Sequence, residues 1–431
     1  MKTTLLTITI LLISTVAFAQ PTTFIDGNFS YYVYPTGSNT VYVSNYTGPG
    51  GALTIPSSVV NAGTTYTVTA IWGGTFAQKQ LTSVTIPNTV TFLGYSAFGF
   101  NQLTSVVLPN SITEMQTSVF KNNQLTNVTL SENLINIGTN AFQNNQLTSI
   151  TIPASVTNIE AEAFRDNSLT SIIIPNTVTE IGVRAFQENQ ITSVTLSESL
   201  TTINEWAFED NNISNVIIPN SVTSIQTNAF RNNILTSVTF PNNLLSIGNG
   251  SFLNNQLTSI SIPNSVTTIG FSSFYNNQIA DLIIPNNVTN IGANAFLDNS
   301  LTNLTIGDSV ETIGGSAFKG NQIINLTIPS SVTTIGNKAF IGNPLESVTS
   351  MGAVPATITT GGSNETFSSN RSTIDLFIPA ASLGAYVTDQ GALWTGFNMI
   401  FANININLSN DVKINTTSNQ ISFLTINDIS L

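Results

Sequence analysis

The chain has 431 residues, of which only 7% are charged, a net charge of -12, and neither cysteine nor histidine. Average soluble proteins are about 25% charged, so solubility here must rest on Ser, Thr and Asn. Ten Lys and Arg in an acidic chain form no cationic stripe for phosphates, which argues against nucleic acid and against anionic membrane surfaces. Without Cys or His there are no disulfides, no thiolate or imidazole catalysis and none of the usual zinc ligands, so no cofactor or metal is expected.

Residues 1–19 read as a secretory signal peptide. Lys2 precedes an apolar run over residues 5–16, and Ala17, Phe18 and Ala19 form a small-residue cleavage site before Gln20. The run is shorter than the ~20 residues that span a bilayer, and no membrane insertion is expected after its removal. No cysteine follows the cleavage site, so a conventional lipoprotein is not expected. Residues 20–51 read as an N-terminal β cap. Tyr31, Tyr32, Val33 and Tyr34 face Val41, Tyr42 and Val43 across the turn residues Pro35, Thr36, Gly37 and Ser38, the pattern of a hairpin.

Residues 52–350 carry an internal repeat. Phenylalanine recurs thirteen times from Phe76 to Phe340 at a period of 22 without insertion or deletion, and asparagine recurs in the same register from Asn101 to Asn343. Such a period signals a solenoid. In one unit Ile150 and Ile152 alternate with Ser149 and Thr151, a strand with one buried face, and Pro153 ends it because proline cannot donate a ladder hydrogen bond. Glycine farther along the unit, as at Gly138 and Gly182, suits a bend with unusual backbone angles, and the Ala-Phe stretch suits a short helical or 3₁₀ turn. No unit folds alone; stacking supplies the missing burial. The expected architecture is a leucine-rich-repeat solenoid, a right-handed coil with 22-residue rungs, one long parallel β-sheet and the hairpin cap, about 60 Å long at ~4.8 Å per rung. The inward Asn side chains are expected to satisfy backbone groups in the bends. An extra strand is expected over residues 65–68. Residues 351–402 read as a C-terminal cap, with a final strand near residues 374–379 and with Tyr386 and Trp394 over the last apolar layer. Residues 403–431 form a tail outside the repeat.

The segments LTSVTIPNTV (residues 81–90), IG and AF at fixed spacing resemble the BspA-type leucine-rich-repeat family of secreted bacterial and protist surface proteins. The likeness extends to LTIPSSVVNAGTTYTVTAI (residues 53–71) at the entrance and LFIPAASLGAY (residues 376–386) at the exit. It implies adhesion to host or matrix proteins or to other cells. Units of that family commonly run to 23 residues with cysteine where this chain has Asn101 and its equivalents, a departure that weakens transfer of any particular ligand. The tail segment VKINTTSNQISF (residues 412–423) resembles the start of a type IX secretion sorting domain of Bacteroidetes, with Thr416 in place of its usual proline.

No phosphate-loop or calcium-loop signature is present, and no enzymatic activity is expected. Acidic residues concentrate at Glu160, Glu162, Asp166, Glu180, Glu188, Glu198, Glu205, Glu209 and Asp210, with Arg165 and Arg184 among them. They read as solvated outer bends, with cation or partner binding as the alternative. The outward strand positions are the expected binding face: Ser83, Thr85, Ser105, Thr129, Ser149, Thr151, Ser193, Thr195, Ser237, Thr239, Ser259 and Ser261. Rows of hydroxyls also follow from β-propensity alone. The functional expectation is a monomeric, non-catalytic protein, secreted or on the outer cell surface, that binds an extracellular protein or glycan through this sheet face. The alternatives are an ice-binding solenoid using its Thr and Ser ranks and a polysaccharide-binding accessory protein.

Overall fold

The structure is a computed structural model that describes residues 23–359, 366–368, 370–388, 390, 393–403 and 412–415. The expected signal peptide and all of the tail beyond residue 415 lie outside the described residues. Strands Thr23–Asp26, Phe29–Val33 and Thr40–Tyr46 form an antiparallel meander, in which Tyr32 pairs with Tyr42 and Val33 with Val41. Thr40–Tyr46 then pairs in parallel with Thr64–Ile71, the strand expected over residues 65–68, which itself pairs antiparallel with Ser58–Asn61. The hairpin cap therefore joins directly onto the coil.

Each rung has three sides. On the first, short strands such as Ser193–Thr195 and Ser237–Thr239 lie parallel to those of neighbouring rungs. Next comes a turn in which Val156 N–H bonds Pro153 O at 3.1 Å, followed by a second parallel ladder of two-residue strands. From Thr202–Ile203 to Thr357–Ile358 that second ladder is one continuous eight-stranded sheet. The first ladder is more divided than one long sheet: it comes mostly in pairs, such as Ser105–Val107 with Asn127–Thr129 and Asp281–Ile283 with Asn303–Thr305. The coil thus carries two parallel ladders on adjacent sides.

The third side differs from the expected helical turn. Arg165 N–H bonds Glu162 O at 3.2 Å in a turn closed three residues back, but Glu162 and Asp166 have φ of 56° and 58°, so no helix propagates. Left-handed residues flank each Phe two positions before and after, as at Asn140 and Asn144 or Asn228 and Asn232. Asn and Asp are among the few non-glycine residues that adopt this region readily. Alternate peptides then all point along the coil axis. N–H groups of Glu162, Phe164 and Asp166 donate to Val183, Ala185 and Gln187 of the next rung at 2.9–3.0 Å. Glycine has a different job from the expected one. At Gly182 a Cβ would sit 2.3 Å from Ala161 N of the preceding rung, so room between stacked backbones, rather than a positive φ, requires it.

Inside, Phe76 to Phe340 form one unbroken stack with ring centroids 5.3–5.7 Å apart and planes within 11°. Tyr46 closes the stack at one end, 5.4 Å from Phe76. At the other, Phe367 stacks 6.0 Å from Phe340, and Trp394 and Phe397 pack on Phe367. Tyr386 and Trp394 are buried there. Tyr386 OH donates to Gly352 O at 2.7 Å and Trp394 Nε1 to Ala356 O at 2.9 Å, so both polar tips are satisfied. The strand expected to be the last forms at Asp375–Pro379 but does not end the sheet: Met399–Asn403 pairs with it in parallel and Val412–Asn415 adds an antiparallel strand beyond.

Candidate binding face

Beside the Phe stack runs the asparagine ladder. Asn189 Oδ1 accepts from Leu169 N–H of the preceding rung at 3.0 Å, while Nδ2 donates to Phe164 O at 3.0 Å and Phe186 O at 3.2 Å. The same three contacts recur at Asn123, Asn233 and Asn321. From Asn101 to Asn321 every amide is buried, Asn343 at the end is half-buried, and each is committed to backbone atoms of two rungs. These residues are structural cross-ties, as expected, and no asparagine of this series is free to ligate anything. The rigid frame fixes the outer strand positions at a regular spacing.

All twelve expected face residues are exposed, and all but Ser149, Thr151, Ser259 and Ser261 stand in strands of the first ladder. From Ser83 to Ser261 its two outward columns carry no charge. Four aliphatics interrupt the hydroxyls, Val107, Ile173, Ile217 and Ile283, at 64–72% exposure. Each stands in the first strand of a pair, directly opposite a threonine: Val107 with Thr129, Ile173 with Thr195, Ile217 with Thr239 and Ile283 with Thr305. A β-branched side chain and a threonine methyl at cross-strand positions pack against each other, which favours pairing at those rungs. Ser149 and Thr151 lie on a stretch without such a partner. There the strands part into a groove of about 570 Å³ that they share with Thr126, Thr129, Thr148 and Glu132. Ser259 joins its neighbour only through a bridge to Asp281.

Two further hydroxyl rows were not anticipated. Thr82, Thr104, Thr126, Thr148, Thr170 and Thr192 are exposed beside the first ladder because the strand starts at a corner, where two successive side chains face water. Thr91, Thr157, Thr179, Thr201 and Thr267 line the edge of the second ladder, and Thr179 Oγ1 donates to Thr157 O at 3.3 Å. Their 22-residue spacing was visible; strict alternation within a strand hid their exposure.

Three of the nine carboxylates of the acidic concentration are ion-paired. Arg165 bridges Glu162 and Glu188 at 3.1 Å each, Arg231 pairs with Glu209 at 3.3 Å, and the Arg184 guanidinium lies 4.2 Å over the Trp206 ring. Glu209 departs from the expected solvated bend: it is 4% exposed, because the residue after Phe208 is packed between Gln187 and Arg231 of adjacent rungs. Burial, with Asp210 adding to it, pushes its carboxyl above the usual range despite Arg231, Gln187 and Arg184. At Glu160 burial also acts upward, but hydrogen bonds from Asn136 Nδ2 at 2.7 Å and from Thr139 Oγ1 and N–H at 2.8 and 2.9 Å outweigh it and hold the carboxyl below its usual value. Among the described residues no group of three His, Cys, Asp or Glu could hold a metal ion. No helix of the described residues is long and apolar enough to cross a membrane.

A stacked coil with two parallel ladders, an aromatic spine and an asparagine spine defines a leucine-rich-repeat solenoid. The chain belongs to the BspA type leucine rich repeat family: that repeat region matches in six copies over residues 57–168, 157–280 and 245–372. No curated protein matches the chain. Among solved structures it is similar to a leucine-rich repeat protein from Bacteroides ovatus, with 22% identity over 83% of this chain and 95% of the other and a TM-score of 0.60. It is also similar to a leucine rich cell surface protein from Faecalibacterium prausnitzii, with 24% identity, 88% and 94% coverage and a TM-score of 0.48. These likenesses concern the fold.

Proposed function

We propose that this chain is a non-catalytic binding protein that works outside the cell, using its first strand face to hold an extracellular protein or glycan by adhesion. The observation that carries this reading is the face itself: exposed and uncharged from Ser83 to Ser261, with isolated aliphatic contacts set among hydroxyls on a stiff frame. Hydroxyls give many weak, wet contacts, and Val107, Ile173 and Ile217 supply desolvating anchors. Those same aliphatics break the regular hydroxyl ranks on which the ice-binding alternative depends. The secretion step rests on residues 1–19.

Such a face makes binding nearly independent of ionic strength, because no charge on it is screened. The test is binding of purified protein to immobilised matrix proteins, cell surfaces and glycans across a salt series. Thr195→Arg with Thr239→Arg should abolish recovered binding while leaving stability within about 0.5 kcal/mol, since both side chains already face water. Glu188→Gln with Glu205→Gln should leave it intact. Binding that survives the arginine pair and fails in the glutamine pair assigns the site to the acidic bends instead.

A further inference from the structure

The N-terminal cap carries a cleft that closing the coil does not require. Along Phe29–Val33, Tyr31 and Val33 turn to the core, at 1% and 3% exposure, which leaves Tyr32 and the following Tyr34 on the outer side. Thr40–Tyr46 repeats the arrangement, with Val41 and Val43 inside and Tyr42 and Ser44 outside. Register sets Tyr32 opposite Tyr42. Trp72 N–H bonds Val43 O at 2.9 Å, which brings the indole alongside. The rings form a continuous row: Tyr34 to Tyr42 at 5.1 Å, Tyr42 to Trp72 at 6.0 Å with planes 25° apart, and Tyr32 to Tyr42 at 6.4 Å. Together with Ser44 they line a cleft of about 510 Å³.

Burying an aromatic side chain is favourable, yet Tyr34 and Trp72 remain half exposed at 50% and 53% while the valines and Tyr31 already seal the coil. The chemistry of the lining is specific. Among the described residues that line it none is charged, and their polar side-chain groups are phenol hydroxyls, a serine hydroxyl and an indole N–H. Burial, then the neighbouring Tyr34 and Tyr32, push the Tyr42 hydroxyl up. Apolar ring faces rimmed by neutral hydrogen-bonding tips fit a ligand with the same division, an apolar ring face with hydroxyls around its edge. The volume lies within the ~300–1,000 Å³ of small-ligand sites.

We propose that this cleft binds a neutral saccharide, with one or two sugar rings laid against Trp72 and Tyr34 and their hydroxyls bonded to the phenols and Ser44. A cationic ligand would also be drawn to aromatic faces, but no carboxylate lines the cleft to hold it. A proline-rich segment also lays its rings on aromatic rows, and the test below sets it against the sugars.

The test titrates the full chain with neutral tetrasaccharides of glucose, mannose, galactose and N-acetylglucosamine, read by calorimetry and by indole fluorescence. At least one should bind saturably and perturb the fluorescence, and Trp72→Ala and Tyr34→Ala should each weaken it roughly tenfold or more. Tyr34→Phe, which keeps the ring, should retain most of the affinity. The strand-face pair Thr195→Arg with Thr239→Arg should change nothing, which separates this site from the adhesion face. Melting curves establish that each variant is folded, and Tyr34→Ala carries the test alone if Trp72→Ala is not. The proposal is overturned if no tetrasaccharide binds, if binding survives loss of either ring in folded protein, or if a proline-rich decapeptide or choline binds at these rings while the sugars do not.

Discussion

Between Phe76 and Phe340 the spine side of the coil keeps its phenylalanine at every rung, whereas the strand side changes residue type from rung to rung. The spine rings stack within 5.7 Å and each neighbouring asparagine ties two rungs together. Strand-side pairing, by contrast, is broken into pairs and lapses at residues 149–152. The coil is therefore held in register mainly by its spine and its second ladder. Outward substitutions on the first ladder cost little because those side chains already face water, while its inward residues such as Val106, Ile172 and Val216 belong to the core. Function lives in the site carried by such a scaffold rather than in the repeat itself.

The strongest way to break this division is to remove one ring from the middle of the spine. Phe208 is fully buried and stacks 5.5 Å from both Phe186 and Phe230. Phe208→Ala should cost about 3–5 kcal/mol by denaturant unfolding, since neighbouring rungs are held too tightly to collapse into the space. An equivalent truncation on the strand face, Ile217→Ala, removes a side chain that is 72% exposed and should cost far less. Similar losses for the two would mean that the strand ladder shares the load.

A smaller effect tests the asparagine ties. Asn189→Ala strands Leu169 N–H and the carbonyls of Phe164 and Phe186 in a buried setting, which should cost about 1–3 kcal/mol. Gln190→Ala, at an exposed position one residue on, should be nearly silent. Equal melting shifts would show that the amides contribute no net stability.

How much of this was legible follows from how long each pattern is. The Phe and Asn series run across the whole coil in one phase, so the rung, the spine and the cross-ties could be read directly. The hairpin was equally open, because Tyr31 to Tyr34 and Val41 to Val43 alternate on both sides of a turn. The second ladder was not: Asn158–Ile159 and its counterparts are two residues long, too short for alternation to register. The left-handed positions were half visible. Two residues after most spine Phe the chain reads Asn, Asp or Gly, as at Asn122, Asn144, Asp166 and Asp210, types that tolerate positive φ, but Phe100 and Glu188 break that series and Glu162, Arg184 and Trp206 stand two residues before, where they signal nothing. Exposure of the twelve face residues was readable from period two. The cap's cleft was not, because Tyr31 and Tyr32 are the same residue type and only cross-strand register shows which one seals the core.

That pair gives the smallest effect at neutral pH and the sharpest contrast between the two faces of the cap. Tyr31 is 1% exposed, stacks 5.3 Å from Phe24, and its hydroxyl is buried without a hydrogen-bond partner. Desolvation by burial, with the Asp26 charge adding to it, pushes its pKa up from 10.0 to about 12. Tyr31→Phe deletes only the unpaired hydroxyl, so stability at pH 7 should stay within about 0.5 kcal/mol of the parent or rise slightly. Alkaline solution separates the two proteins. The folded state resists ionisation that the unfolded chain accepts near pH 10.0, so the parent keeps this contribution in full below that pH and loses it as pH rises toward and through about 12. Tyr31→Phe should therefore flatten the fall in melting temperature above pH 10. An unchanged slope in Tyr31→Phe would mean that water or a partner reaches the hydroxyl and that the inner face of the cap is less tightly sealed than its packing indicates.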